Sequence, residues 1–114
     1  MLAVIFELQP HAASKHEYLE IAAELALELD KVDGFISIER FQSLSQPQKL
    51  LSLSFWRDEA AIEAWRNLEQ HRSAQRSGRR QLFADYRLRV ASVIRDYGLH
   101  ERAGAPADSR EQHG

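Results

Sequence analysis

Three side chains in the middle of the chain have types and spacing that could do chemistry: Trp56, Trp65 and His71. An imidazole titrates near about 6.5, so His71 is the natural proton shuttle for a chain of this size. With an apolar cage around it, such a base could deprotonate an activated phenol or quinol. The resulting phenolate or carbanion could give an electron to O₂ without a metal. The two indoles offer walls for a planar apolar ligand, and they are equally suited to filling a core. The bland alternative for His71 is a solvated position on a helix face.

Glu7 is the other titratable group singled out. If Ala3, Ile5 and Glu7 face the helices, its carboxylate is largely buried and needs a partner. His71, Arg40 or Arg89 could supply one, and a Glu–His pair would orient the imidazole as general-base sites do. The alternative is a carboxylate near a strand end that reaches water. No metal site is expected. The chain has no cysteine, and His11 and His16 are five residues apart, which does not place them on one helix face. Arg72, Arg76 and Arg80 form a stripe at i, i+4, i+8, which reads best as a solvated face.

The elements that must carry these groups follow from periodicity. Leu2 to Leu8 is β-branched and aromatic and ends at Gln9-Pro10, which marks a strand with a hard stop. Its two faces are both mostly apolar, which suggests cover on both sides. Ser14-Lys15-His16-Glu17 matches a capping box. Tyr18, Ile21, Ala22, Leu25 and Leu29 then recur at helical spacing until about Asp30, ahead of Gly34. Phe35–Phe41 and Lys49–Trp56 read as strands joined by a hairpin around Ser-Gln-Pro-Gln. A second helix should start after Asp58, with Ala61, Ile62, Ala64, Trp65 and Leu68 as its apolar positions. Gly78 and the weakening pattern predict a kink between two helical pieces. Tyr86, Leu88, Val90 and Ile94 alternate with Arg87, Arg89 and Arg95 in a last strand.

The order β-α-β-β-α-β predicts an α+β, ferredoxin-like fold: a four-stranded antiparallel sheet with both helices on one face. Strands that are apolar on both faces then ask for a partner on the uncovered face. A second copy is the economical one, so a homodimer through the sheet faces is expected. Residues 1–98 should form this single domain and residues 99–114 a disordered tail.

Composition narrows the function classes. The 114 residues are 44% hydrophobic and 28% charged, with a net charge of −2. That balance leaves no basic footprint for nucleic acid, and no apolar run reaches the length of a membrane span. The expectation is a cytoplasmic protein.

The run Phe55-Trp56-x-Asp58-x-x-Ala61-Ile62-x-x-Trp65, followed by His71-Arg72-x-Ala74-Gln75-x-x-Gly78-Arg79, resembles the antibiotic biosynthesis monooxygenase (ABM) domain family. That family is a branch of the dimeric α+β barrel superfamily. The resemblance covers roughly residues 1–97. It implies a cofactor-independent monooxygenase acting on a small aromatic or quinol-like compound in an apolar pocket between helices and sheet. It also gives Trp65 a pocket-wall role. Asn67, Tyr86 and Arg89 are of the types that hold substrate in the polyketide oxygenases of the family. The haem-degrading branch is disfavoured. It has an Asn on the first strand where Glu7 stands here, and a haem-ligating His about ten residues after the tryptophan, where this chain has Gln75. The alternative from another class is a non-catalytic small-molecule-binding or dimerisation module of the same fold.

Overall fold

The computed structural model describes residues 1–75 and 82–108, without the side chains of residues 70–75. The order is β1 (Leu2–Pro10), α1 (Lys15–Leu29), β2 (Phe35–Gln42), β3 (Leu50–Trp56), α2 (Glu59–Gln75) and β4 (Phe83–Ser92), with a 3₁₀ turn, Ala12–Ser14, before α1. The strands form one antiparallel sheet in the order β2-β3-β1-β4. The ferredoxin-like α+β fold expected from the sequence is therefore the fold observed. The expected kink around Gly78 lies outside the described residues.

Register decides which side chains share a face, because residues directly opposite one another point the same way. Leu8, Ser52 and Val90 fix the assignment, since Leu8 pairs with Leu50 and Tyr86, Phe6 with Ser52 and Leu88, and Val4 with Ser54 and Val90. Leu8 and Leu50 pack with Tyr18 and Ala22 of α1. Trp56 packs with Leu29 of α1 and Ala61 of α2. Val4, Phe6 and Leu8 thus face the helices. Ala3, Ile5 and Glu7 face away from them.

β3 has an unusual division. Under the helices it carries Leu50, Ser52, Ser54 and Trp56, all buried; on the open side it carries Leu51, Leu53 and Phe55, each half-buried. The more apolar face of this central strand is the one that the helices leave uncovered. Trp56 is only 2% exposed. It lies edge-on to Phe35 with ring centres 5.2 Å apart, and its Nε1 donates to Ser54 Oγ at 2.8 Å. The indole N–H is thereby satisfied inside the core, as a buried tryptophan requires.

The start of α2 is built as the sequence suggests. Asp58 Oδ1 accepts from the backbone N–H of Ala61 at 2.9 Å, which is the N-cap interaction with the third helical residue. The start of α1 is not. Ser14 makes no side-chain cap and sits at φ −107°, ψ −2°, because the 3₁₀ turn ties its N–H to His11 O at 2.8 Å. An N-cap side chain reaches its donors from the extended region, and the turn takes Ser14 out of it.

Gly34 joins α1 to β2 at φ +90°. A Cβ there would lie 2.7 Å from the Ala61 Cβ, so glycine is required both by conformation and by the close approach of α2. Beside it Arg57 donates to both carboxylate oxygens of Asp33, at 3.2 and 3.1 Å, and its Nε to Asp58 at 3.1 Å. After β4, Val93 N bonds Met1 O, and a short loop closes through Gly98 N to Glu101 O at 2.8 Å. No helix among the described residues is long and apolar enough to cross a membrane.

Candidate functional site

The helix side of the sheet carries an aromatic cluster toward the β4 edge. Phe6 meets Phe83 and Tyr86 edge-on, with ring centres 5.9 and 5.8 Å apart. Tyr18 of α1 closes on Phe83 at 5.7 Å, and Phe83 lies 6.0 Å from Tyr86. Further along β4 the same face presents Leu88 and Val90. Tyr86 is 62% exposed, Leu88 52% and Val90 45%. Three large side chains in a row thus stand on the helix side without being covered, against a wall of rings. Such an apolar shelf with a phenol at its end suits a small, flat, mostly hydrophobic molecule.

Trp65 belongs to the same side of the sheet. It packs with Ile62 against the cluster of Leu29, Trp56 and Ala61 and remains half-buried. Toward the opposite edge, Arg40 of β2 stands directly across from Ser52. Its Nε is buried and has no hydrogen-bond partner. An unpaired buried donor costs about 1–3 kcal/mol, and more when the group is charged.

The open side has a different character. Glu7 accepts from Arg89 Nη1 at 3.2 Å and lies 3.8 Å from Lys49 Nζ. These three border the otherwise apolar surface of Ile5, Leu51, Leu53 and Phe55. A shallow depression of about 240 Å³ at this end is lined by Glu7, Phe41, Lys49 and Leu51 among others.

The residues expected at the site are therefore distributed over two faces. Trp65 and Tyr86 lie on the helix side. Glu7 and Arg89 lie on the open side and are paired with each other, so Glu7 is not directed between helices and sheet. Asn67 is exposed on α2, two residues and about 200° around the helix from Trp65. The His71 side chain, and those of Arg72, Arg76 and Arg80, lie outside the described residues. Among the described residues no group of three or more potential ligands is placed to hold a metal ion. Sequence reasoning missed Phe6 and Phe83 as parts of the ring wall. Their signal was present in the alternation of the strands, but it did not say which face the helices cover.

Electrostatically, Asp33 and Asp58 are perturbed at the α1–β2 and β3–α2 junctions, and burial raises the Glu69 carboxyl, one turn past Trp65 on α2. The hydrogen bond and charge of Arg57 hold the Asp33 carboxyl below its usual range. The Ala61 N–H, followed by Arg57, does the same for Asp58.

Comparison with known proteins agrees with this architecture. The sequence profile of the family described as "Antibiotic biosynthesis monooxygenase" matches residues 1–77. The curated "Jasmonate monooxygenase ABM" of Pyricularia oryzae is 44% identical over 113 residues, covering 98% of this chain and 53% of that protein. The chain thus spans about half the length of this relative. Among solved structures, Rv0793 from Mycobacterium tuberculosis superposes with a TM-score of 0.71 at 14% identity, over 85% of this chain and 98% of that one. SnoaB, a cofactor-independent oxygenase from Streptomyces nogalater, gives 0.65 at 14% identity, over 83% and 94%. At these identities the two structures speak for the fold. With the profile covering more than half of the residues, the chain belongs to the antibiotic biosynthesis monooxygenase family.

Proposed function

We propose that this chain is a cofactor-independent monooxygenase that oxidises a small, largely apolar molecule on the helix side of its sheet. The observation that carries this is the uncovered shelf of Tyr86, Leu88 and Val90 against Phe6 and Phe83, in a chain of this family. Trp65 is the opposing wall and Tyr86 the orienting phenol. His71, six residues beyond Trp65 on α2, is the base. Glu7 and Arg89, paired on the open side, and Asn67, exposed on α2, are given no part in this reading.

The chemistry asked of these groups is modest. The base removes a proton from an activated C–H or O–H, and the anion passes electrons to O₂. A C–O bond then forms at the activated carbon. Where that carbon carried two hydrogens, loss of water from the hydroperoxide leaves a carbonyl, so that R₂CH₂ and O₂ give R₂C=O and H₂O. All four electrons that reduce O₂ come from the substrate, so no external reductant is needed. The protein supplies proximity, a proton acceptor and a dry wall.

Two substrate types fit. Hydroquinone-like aromatics match the ring wall. Jasmonate, named for the fungal relative, offers an apolar body with one carboxylate. Oxygen uptake with a panel containing both tests the assignment, comparing the wild type with His71→Ala and Tyr86→Ala. Uptake with one class, reduced in both variants, supports it. Binding without oxygen uptake by any compound would make the chain a non-catalytic binding module. Two copies would pair through the open faces, which is supported by the apolar surface of Ile5, Leu51, Leu53 and Phe55 and its charged border.

A further inference from the structure

Pairing in the sheet lines up one transverse row on the helix side: Arg40 of β2, Ser52 of β3, Phe6 of β1 and Leu88 of β4. The row is cationic at one end and apolar at the other, with the small Ser52 between. Adjacent strands are about 4.8 Å apart, so Arg40 and Phe6 are anchored about 10 Å from each other. The Arg40 Nε is buried and has no partner, and no ion pair of this guanidinium occurs among the described residues. Its neighbours on the same face of β2 are Ile38, which packs into the core, and Gln42, whose amide is engaged by Pro47 O at 2.6 Å. Neither brings it a negative charge.

A half-buried guanidinium with an unpartnered, buried Nε, in the same transverse row as the apolar shelf, lacks an anion, and its planar fork matches a carboxylate better than any other common anion on an apolar molecule. We propose that Arg40 is the specificity-determining residue for substrate charge: it binds the carboxylate of an apolar carboxylic acid whose hydrocarbon body lies over Phe6 and Leu88. This rests on the helix-side site proposed above. Arg40 takes no part in proton removal or oxygen chemistry. It selects the acid over its uncharged derivatives and sets the end from which the body enters.

The test is calorimetric titration of the full chain with jasmonic acid, its methyl ester and acetate, on the wild type, Arg40→Leu and Arg40→Lys. The wild type should bind the acid at least about tenfold tighter than the ester, the usual strength of a hydrogen bond to a charged group. Arg40→Leu should bind acid and ester alike, with the ester affinity unchanged, and Arg40→Lys should recover part of the preference. Acetate should bind no more tightly to the wild type than to Arg40→Leu at millimolar concentration. Tighter acetate binding would mark a site for small anions and overturn the substrate role. Equal binding of acid and ester by the wild type overturns the inference too, and this holds whether or not Arg40→Leu folds. So does an unchanged acid preference in Arg40→Leu. If the wild type binds neither compound yet consumes oxygen with a hydroquinone, the carboxylate inference fails and the monooxygenase assignment stands. If no compound binds or consumes oxygen, both fail.

Discussion

Glu7 and Arg89 meet at 3.2 Å on the side of the sheet that the helices leave open. Both are among the residues whose types suggest substrate binding or catalysis, and the strand register turns them away from Trp65 and Tyr86. The sheet therefore separates two surfaces: an aromatic shelf on one side, and an apolar surface with a charged border on the other.

The Glu7–Arg89 pair is half-exposed, with side-chain exposures of 35% and 51%. Exposed pairs of this kind contribute roughly 0–1 kcal/mol. Arg89→Ala should therefore change the urea midpoint little. It should leave the KM for any substrate of the helix side within twofold of the wild type. A large rise in KM in steady-state oxygen uptake would return Arg89 to the site.

The open face makes a prediction about assembly. Leu53→Asp places a carboxylate in the middle of the surface formed with Ile5 and Phe55, where pairing would bury it unpaired. Sedimentation velocity at micromolar concentration should show a dimer for the wild type and a monomer for Leu53→Asp. A wild-type monomer contradicts pairing through this face.

Gly34→Ala puts a side chain at φ +90° and within 2.7 Å of Ala61. Backbone strain alone costs about 1–3 kcal/mol, and the approach of α2 adds to it. Urea denaturation should show a clearly lower midpoint. A midpoint equal to the wild type would mean that α2 does not approach the α1–β2 junction as described.

The acid side of the stability profile follows from Asp33 and Asp58. Both carboxyls are held below their usual range, Asp33 by Arg57 and Asp58 by the Ala61 N–H and then Arg57. A carboxylate with a depressed folded pKa stabilises fully above its unfolded value, about 3.9 for Asp. That contribution is lost as pH falls through the folded values. The melting temperature should thus fall below about pH 4, and Arg57→Leu should flatten part of that fall while having lower stability at neutral pH. An identical profile in Arg57→Leu would contradict the assignment.

The two tryptophans should separate cleanly. Trp56→Ala removes a ring that is almost fully buried and should cost about 3–5 kcal/mol. Trp65→Ala removes a half-buried ring and should lose less stability and more ligand affinity. Chemical denaturation and calorimetry on the same pair of variants check both halves.

Much of the fold was legible in the sequence because its signals are local. The helical spacing of Tyr18, Ala22 and Leu29, the Asp58 cap and the hairpin break around Pro47 each act within a few residues. What the pattern could not supply was the face. β1 is apolar on both sides, so alternation alone did not place Glu7. β3 points the wrong way, since its serines lie under the helices and Leu51, Leu53 and Phe55 do not. Only the pairing of Leu8 with Leu50 and Tyr86, and the packing of α1 on them, settles the question. The Ser14 cap failed for a related reason, because the turn that follows Pro10 fixes the Ser14 backbone before its hydroxyl can act. Of the candidate site, Trp65 and Tyr86 were visible as types in the right elements, whereas the ring wall of Phe6 and Phe83 needed the register.

The central claim is that substrate is oxidised on the helix side, at Tyr86 and Trp65. The most direct measurement is turnover under ¹⁸O₂ with mass spectrometry of the product, in wild type, Tyr86→Ala and Arg89→Ala. The account predicts one ¹⁸O atom per product molecule, with kcat/KM lowered at least about tenfold in Tyr86→Ala, as expected when a positioning contact is lost, and nearly unchanged in Arg89→Ala. Unlabelled product, or a loss confined to Arg89→Ala, would contradict it.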